Sequence, residues 1–182
     1  MKKVVAIVAA AAVLLCLAVG VAVAESDTVE AQQHLSWGDD VIEASGLGPD
    51  ELSWGRATTL DKYGLVMWKP EQMKLLDNDE YDYDFLDTFG ITRVMAREEE
   101  LPENLQSSKA LFEYLKGIAD EGDVIPSTIN DMFCFVFSQG DDSLVLFPGE
   151  GKNVTFIFTN NADPKAAAYN KLMMCSLMKV TK

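Results

Sequence analysis

Few residues of this chain carry reaction chemistry, and their spacing matches no reaction signature. There is one histidine, His34. A Ser-His-acid or Cys-His arrangement would have to run through it, and its polar surroundings, Gln32, Gln33 and Ser36, do not orient an imidazole as a general base requires. The sequence holds no Gly-x-Ser-x-Gly, no His-Glu-x-x-His and no Cys-x-x-Cys. Nucleophile-elbow hydrolases, zinc proteases and thioredoxin-like exchange therefore lack their markers. The densest group of possible ligands is Asp77-Asn78-Asp79-Glu80-Tyr81-Asp82-Tyr83-Asp84, where Asp77, Asp79, Asp82 and Asp84 offer hard oxygens to calcium. Counted as an EF-hand from Asp77, the run puts Tyr81 where an acid belongs and Asp82 where glycine belongs. The favoured alternative is a loop entering an edge strand, with Tyr81, Tyr83 and Phe85 inward and Asp82 and Asp84 in water.

Cys134 and Cys175 offer a second possibility. Paired in an oxidising compartment they would close a 41-residue separation and stabilise the fold by roughly 4 kcal/mol; unpaired, they would pack as small apolar residues. Two carboxylates could also serve a glycosidase, but among 29 acids no pair stands out. Trp37, Trp54 and Trp68 could stack on a sugar, although tryptophan in a domain of this size is more often core. Asn153-Val154-Thr155 matches a glycosylation acceptor and reads equally as a turn entering a strand. Pro148-Gly149-Glu150-Gly151-Lys152 is a hairpin turn, since a β-rich run and not a helix follows it. No cofactor is implied.

The address is written at the start. Lys2 and Lys3 precede an uncharged run from Val4 to Ala24 that closes on Ala22-Val23-Ala24, the pattern of a cleaved export signal over residues 1–24. An uncleaved anchor is the alternative, because this run is just long enough to cross roughly 30 Å of bilayer as a helix. Cleavage leaves 13 basic residues against 29 acidic ones, a net charge of −16. Such a body repels nucleic acid and anionic membrane surfaces, leaving a protein, peptide or glycan as partner.

The elements that must position these residues are clearest near the C-terminus. Met132–Ser138, Ser143–Phe147 and Val154–Thr159 are β-rich runs separated by turn residues, which predicts a three-stranded antiparallel meander. Period-two geometry groups Phe133, Phe135 and Phe137 on one face, and Val154, Phe156 and Phe158 on one face. The other face of the first strand, Met132, Cys134 and Val136, needs a cover. A helix from Lys165 to about Val180 supplies it, capped by Asn161-Ala162-Asp163-Pro164, with Tyr169, Leu172, Met173, Leu177 and Val180 as its stripe. A second helix is expected between Leu105 and Asp120, with Leu111, Leu115 and Ile118 inward and Gly122 ending it. Phe89–Ala96 reads as a strand with the acidic run Glu98–Glu100 as its solvated exit, and 123–131 as a loop. Upstream, Tyr63–Trp68 reads as a strand and Pro70–Leu76 as a short helix, while Asp40–Ser45 is either a helical turn or a strand ending at Gly46.

Together these features predict an α+β protein: an antiparallel β-sheet with a C-terminal three-stranded meander and helices packed mainly on one face. Residues 25–55 are expected to be weakly structured, and 56–182 to form the domain. Function reads as an exported, periplasmic or extracellular binding or interaction module without catalysis. A small carboxylate-dependent hydrolase acting on glycans, or a calcium-dependent module, is the alternative.

Overall fold

The computed structural model describes residues 27–120 and 124–180. The leader, residues 1–24, and the expected helix stop at Gly122 lie outside the described residues. The strands are β1 (Gln33–Leu35), β2 (Gly55–Leu60), β3 (Leu65–Pro70), β4 (Met73–Leu75), β5 (Tyr83–Asp87), β6 (Arg93–Glu100), β7 (Ile125–Ile129), β8 (Met132–Gln139), β9 (Asp142–Pro148), β10 (Lys152–Phe158) and β11 (Met178–Lys179). The α-helices are α1 (Asp39–Ser45), α2 (Pro49–Ser53), α3 (Ser108–Lys116) and α4 (Pro164–Cys175). Eight strands form one sheet in the order β1-β7-β8-β9-β10-β6-β5-β4, and three form a second in the order β11-β3-β2. Every pairing is antiparallel except β1 with β7, which is parallel. The α+β class and the meander of β8, β9 and β10 are as the sequence predicts.

Register decides where the phenylalanines go. Phe156 stands opposite Val145, which stands opposite Val136, whereas Phe135 stands opposite Leu146 and Phe137 opposite Leu144. Directly opposed residues share a face, so the aromatic sets of β8 and β10 lie on opposite sides of the sheet and build two cores. On the inner side Phe156 and Phe158 pack with Cys134, Val145 and the small-sheet residues Leu60, Leu65 and Met67, and with Tyr169, Met173 and Leu177 at the C-terminal end. On the outer side Phe135, Phe137, Leu144 and Leu146 pack against Leu111 and Leu115 of α3. A third cluster joins the back of α4, Leu172 and Cys175, to Val41 of α1 with Leu52 and Trp37 against it. Helix α4 is thus buried on two sides. Among the described residues, three of the four α-helices lie on the inner side and α3 on the outer.

Helix ends follow local chemistry. The Asp163 carboxylate accepts from Lys165 N at 2.8 Å and Ala166 N at 2.9 Å, with Pro164 in the first turn, the expected cap. α4 stops at Cys175 rather than near Val180, because the chain then joins the small sheet through Met178 opposite Val66. Asn130 holds that exit: its side-chain amide donates to Cys175 O and Leu177 O, each at 2.8 Å, and its oxygen accepts from Trp37 N at 3.2 Å. α3 is shorter than expected, capped by Ser107 and ended at Gly117, which leaves Ile118 43% exposed.

Five expectations give way to the tertiary structure, three of them through strand pairing. Segment 123–131 is not a loop throughout: Ile125–Ile129 is a strand joined to β8 by the turn Asn130-Asp131, both residues at positive φ. Pro70–Leu76 forms no helix, since Met73–Leu75 pairs with β5. Glu98, Glu99 and Glu100 do not leave the sheet but pair with Val154, Asn153 and Lys152, while the strand start expected at Phe89 is instead a turn at Gly90, with β6 beginning at Arg93. Residues 25–55, expected to be weakly structured, hold β1, α1 and α2; Asp39–Ser45 is the helical alternative, closed by Gly46 at φ 68°.

Candidate functional site

The structure commits the strongest acidic candidates to other partners. Arg93 grips Asp84 with both ends of its guanidinium, Nε to Oδ1 at 2.7 Å and Nη2 to Oδ2 at 2.5 Å, and Asn78 adds a third hydrogen bond at 2.6 Å. Asp84 is 1% exposed, not in water as expected. The Arg93 bonds hold its carboxyl below the ordinary aspartate value, against the upward push of burial. At Asp82 burial pushes the pKa up, but Lys62, Tyr63 and the Glu98 N–H overcome it and the value falls. Asp77 and Asp79 are exposed. Among the described residues no group of three or more His, Cys, Asp or Glu side chains converges as a metal site.

Other candidates are scattered. His34 lies on β1 and meets the Thr128 hydroxyl at 2.7 Å on an exposed face. Cys134 and Cys175 are buried free thiols in separate clusters. Trp37 and Trp68 pack 5.9 Å apart against α1, whereas Trp54 is 59% exposed beside Phe89 and Tyr169. The three tryptophans do not share one pocket. Asn153 is 7% exposed in the folded protein, which denies the glycosylation reading the accessible acceptor it needs.

The sequence did not bring together the features that converge: Asn153 and Thr155 were read there as a glycosylation acceptor or turn, and Arg97 was not singled out. On the outer face, a cleft of about 350 Å³ opens between the end of α3 and the paired strands β6 and β10. Its floor carries Arg97, Asn153 and Thr155, and its walls include Leu105, Tyr114, Leu115, Ile118 and Leu144. Arg97 stands directly opposite Thr155, and Glu99 opposite Asn153. Arg97 is held through Nη2 by Glu99 at 3.2 Å and lies 5.6 Å from the centre of the Tyr81 ring. These contacts aim the guanidinium but leave Nε without a partner. Asn153 Nδ2 reaches Thr155 Oγ1 at 3.4 Å, and its Oδ1 has none.

Three buried side-chain atoms lack a partner among the described residues, Asp87 Oδ1, Arg97 Nε and Asn153 Oδ1, and two of the three belong to this cleft. Each such atom costs about 1–3 kcal/mol in an apolar setting. A donor and an acceptor on one floor, under apolar walls, suit a ligand that offers an acceptor and a donor together and carries an apolar side group. The cleft's carboxylates, Glu99 and Glu100, are consecutive on a strand and so point to opposite faces. They do not form the facing pair that glycoside hydrolysis requires.

No family model matches the chain, and no curated protein matches it. Among solved structures, the solution structure of cyanobacterial PsbP (CyanoP) from Synechocystis sp. PCC 6803 is similar with a TM-score of 0.41 and 14% identity, over 73% of this chain and 96% of that chain.

Proposed function

We propose that this protein is an exported, non-enzymatic binding module that receives a short peptide segment in the cleft between α3 and the β6/β10 floor. The observation that carries the reading is the pair of orphaned buried atoms, Arg97 Nε and Asn153 Oδ1, on the floor of a recess walled on one side by Leu105, Leu115, Ile118 and Leu144 and rimmed by Glu99, Glu100 and Gln139. A backbone amide supplies the acceptor and donor they lack, and an aliphatic side chain fits against Leu105, Leu115 and Ile118. At about 350 Å³ the recess sits at the small end of ligand sites, which span roughly 300–1,000 Å³. Export is supported by the basic start, apolar run and Ala22-Val23-Ala24 close of residues 1–24. No helix among the described residues is long and apolar enough to cross a membrane.

The test uses residues 25–182 labelled with 15N and titrated with N-acetyl-leucine amide, leucine-containing tripeptides and, separately, maltotriose. Expected are shifts of the Asn153 side-chain amide and Arg97 Nε–H signals with the peptides. Ile118→Glu, at a rim position 43% exposed, should abolish those shifts and leave the melting temperature unchanged. Silence of both signals, an undiminished response in Ile118→Glu, or a response to the sugar alone would each refute the assignment.

A further inference from the structure

A second opening lies between the two sheets. Where β2 runs past β4 and β5, a cleft of about 940 Å³ remains. On β3 the alternation that buries Leu65 and Met67 continues at the next inward position with Lys69, opposite Arg56 of β2. Lys69 is 5% exposed. Its Nζ donates to Met73 O at 2.8 Å and Pro70 O at 3.3 Å, and lies 5.4 Å from the centre of the Phe85 ring. These partners satisfy two of three ammonium protons. None of them neutralises the charge.

A lysine charge taken out of water without a counter-ion is strongly disfavoured. Burial holds the Lys69 pKa below the ordinary lysine value, Arg56 adds repulsion, and Glu71 works in the opposite direction. Glu71, the cleft's one carboxylate among the described residues, is engaged by Arg56 at 3.3 Å. The remaining charged lining is Arg56, Lys69 and Lys74. A protein of net charge −14 therefore gathers three cations around one acid in a single opening.

We infer that this cleft binds an oxyanion, with Lys69 Nζ as its contact at the floor and Arg56 closing over it from β2. Thr58, the inward residue next along β2, brings a hydroxyl to the same space. Tyr83, Phe85 and Leu75 line the remainder, and the volume far exceeds a bare phosphate. The oxyanion is accordingly the head group of a ligand with an apolar body.

Residues 25–182 are melted and titrated calorimetrically with inorganic phosphate, hexyl phosphate and hexanoate at constant ionic strength, with sodium chloride as the reference. Expected is a rise in melting temperature above the chloride reference, tighter binding of a hexyl ligand than of phosphate, and at least tenfold weaker binding in Arg56→Gln. The two hexyl ligands separate a phosphate head from a carboxylate head. Lys69→Met should lose the response while melting no lower than wild type without anion, because an apolar side chain of similar length removes a buried charge. Should Lys69→Met fail to fold, the 15N signal of the Lys69 ammonium in the wild type reads the same contact. No rise over chloride with any of the three anions, a retained response in Lys69→Met, or an unmoved ammonium signal overturns the inference.

Discussion

Replacing Asn130 should loosen three segments at once, and the loss can be built up from its contacts. Its side chain makes three part-buried hydrogen bonds, from Trp37 N and to Cys175 O and Leu177 O, joining the N-terminal segment, the β7–β8 turn and the end of α4. At about 0.5–1.5 kcal/mol net for each bond, alanine forfeits roughly 2–4 kcal/mol. Asn130 also sits at φ 45°, a left-handed conformation that costs an L-residue without a short polar side chain about 1 kcal/mol more. Asn130→Ala should therefore lose about 3–5 kcal/mol. Asn130→Gly, free of the φ penalty, should lose only the hydrogen-bond share of about 2–4 kcal/mol. Asn130→Asp keeps an acceptor for Trp37 but sets a carboxylate against two carbonyls at the negative end of α4, and should fare no better than alanine. Urea unfolding followed by tryptophan fluorescence measures these differences. Thermal melting should fall by roughly 6–20 °C for alanine, at about 2–4 °C per kcal/mol in a domain of this size. A loss under about 1 kcal/mol for alanine, or glycine less stable than alanine, would refute the reasoning.

Two further outcomes follow from buried polar groups. Because Arg93 depresses the Asp84 pKa in the folded state, this carboxylate contributes stability that is fully present above its unfolded value of about 3.9 and is lost as pH falls through the lower folded value. Asp84→Asn should cost about 1–3 kcal/mol at pH 7, the charge-assisted bonds being weakened while Arg93, 37% exposed, stays partly solvated; the gap to wild type in urea unfolding should narrow from pH 4 downwards, and a gap constant with pH counts against the pairing. Burial pushes the Cys134 thiol up to about 12 and raises that of Cys175. Mass spectrometry should find neither alkylated by iodoacetamide at pH 8 in the native protein and both alkylated in guanidinium, with no reductant needed.

Legibility of the fold tracked the range of the interactions that make it. The β8–β10 meander and the Asp163 cap were readable because their signals are local: alternating phenylalanines between turn residues, and an acid followed by proline. β7 was hidden by Pro126 and Asn130, which mark a loop in isolation, yet Pro126 needs no N–H where its carbonyl serves Gln32 N at 2.7 Å. The acidic run Glu98–Glu100 looked solvated, although Glu98 is matched by Lys152 at 2.8 Å from the neighbouring strand. Asp84 was placed in water by alternation alone, and only the fold supplies the Arg93 and Asn78 that let it be buried. The two clefts were less legible still. Asn153 read as a glycosylation acceptor or a turn residue, and Lys69 fell unassigned between a strand ending at Trp68 and Pro70, since a missing partner is a property of three-dimensional neighbours and leaves no trace in spacing.

Both openings have a common origin in the unequal sizes of the layers. Helix α3 has nine residues, a length of about 13–14 Å, while strands stand about 4.8 Å apart. However it is turned, such a helix covers some three strands of an eight-stranded sheet. Leu111 and Leu115 accordingly cap Phe135, Phe137, Leu144 and Leu146, and the floor beyond them, over β10 and β6, passes to Thr155, Asn153 and Arg97. On the inner face three small-sheet strands and α4 oppose the same eight. Apolar closure there ends at Met67 and Met73, and Lys69 occupies the next position with only carbonyls and a ring to meet it. An apolar residue could fill either margin at no penalty in desolvation. The groups proposed to bind sit at the edges of the two cores, where Arg97 Nε and Asn153 Oδ1 lack a partner and Lys69 Nζ meets two carbonyls but no counter-ion, whereas Asp82, Asp84, Asn130 and Asn170 each make several hydrogen bonds.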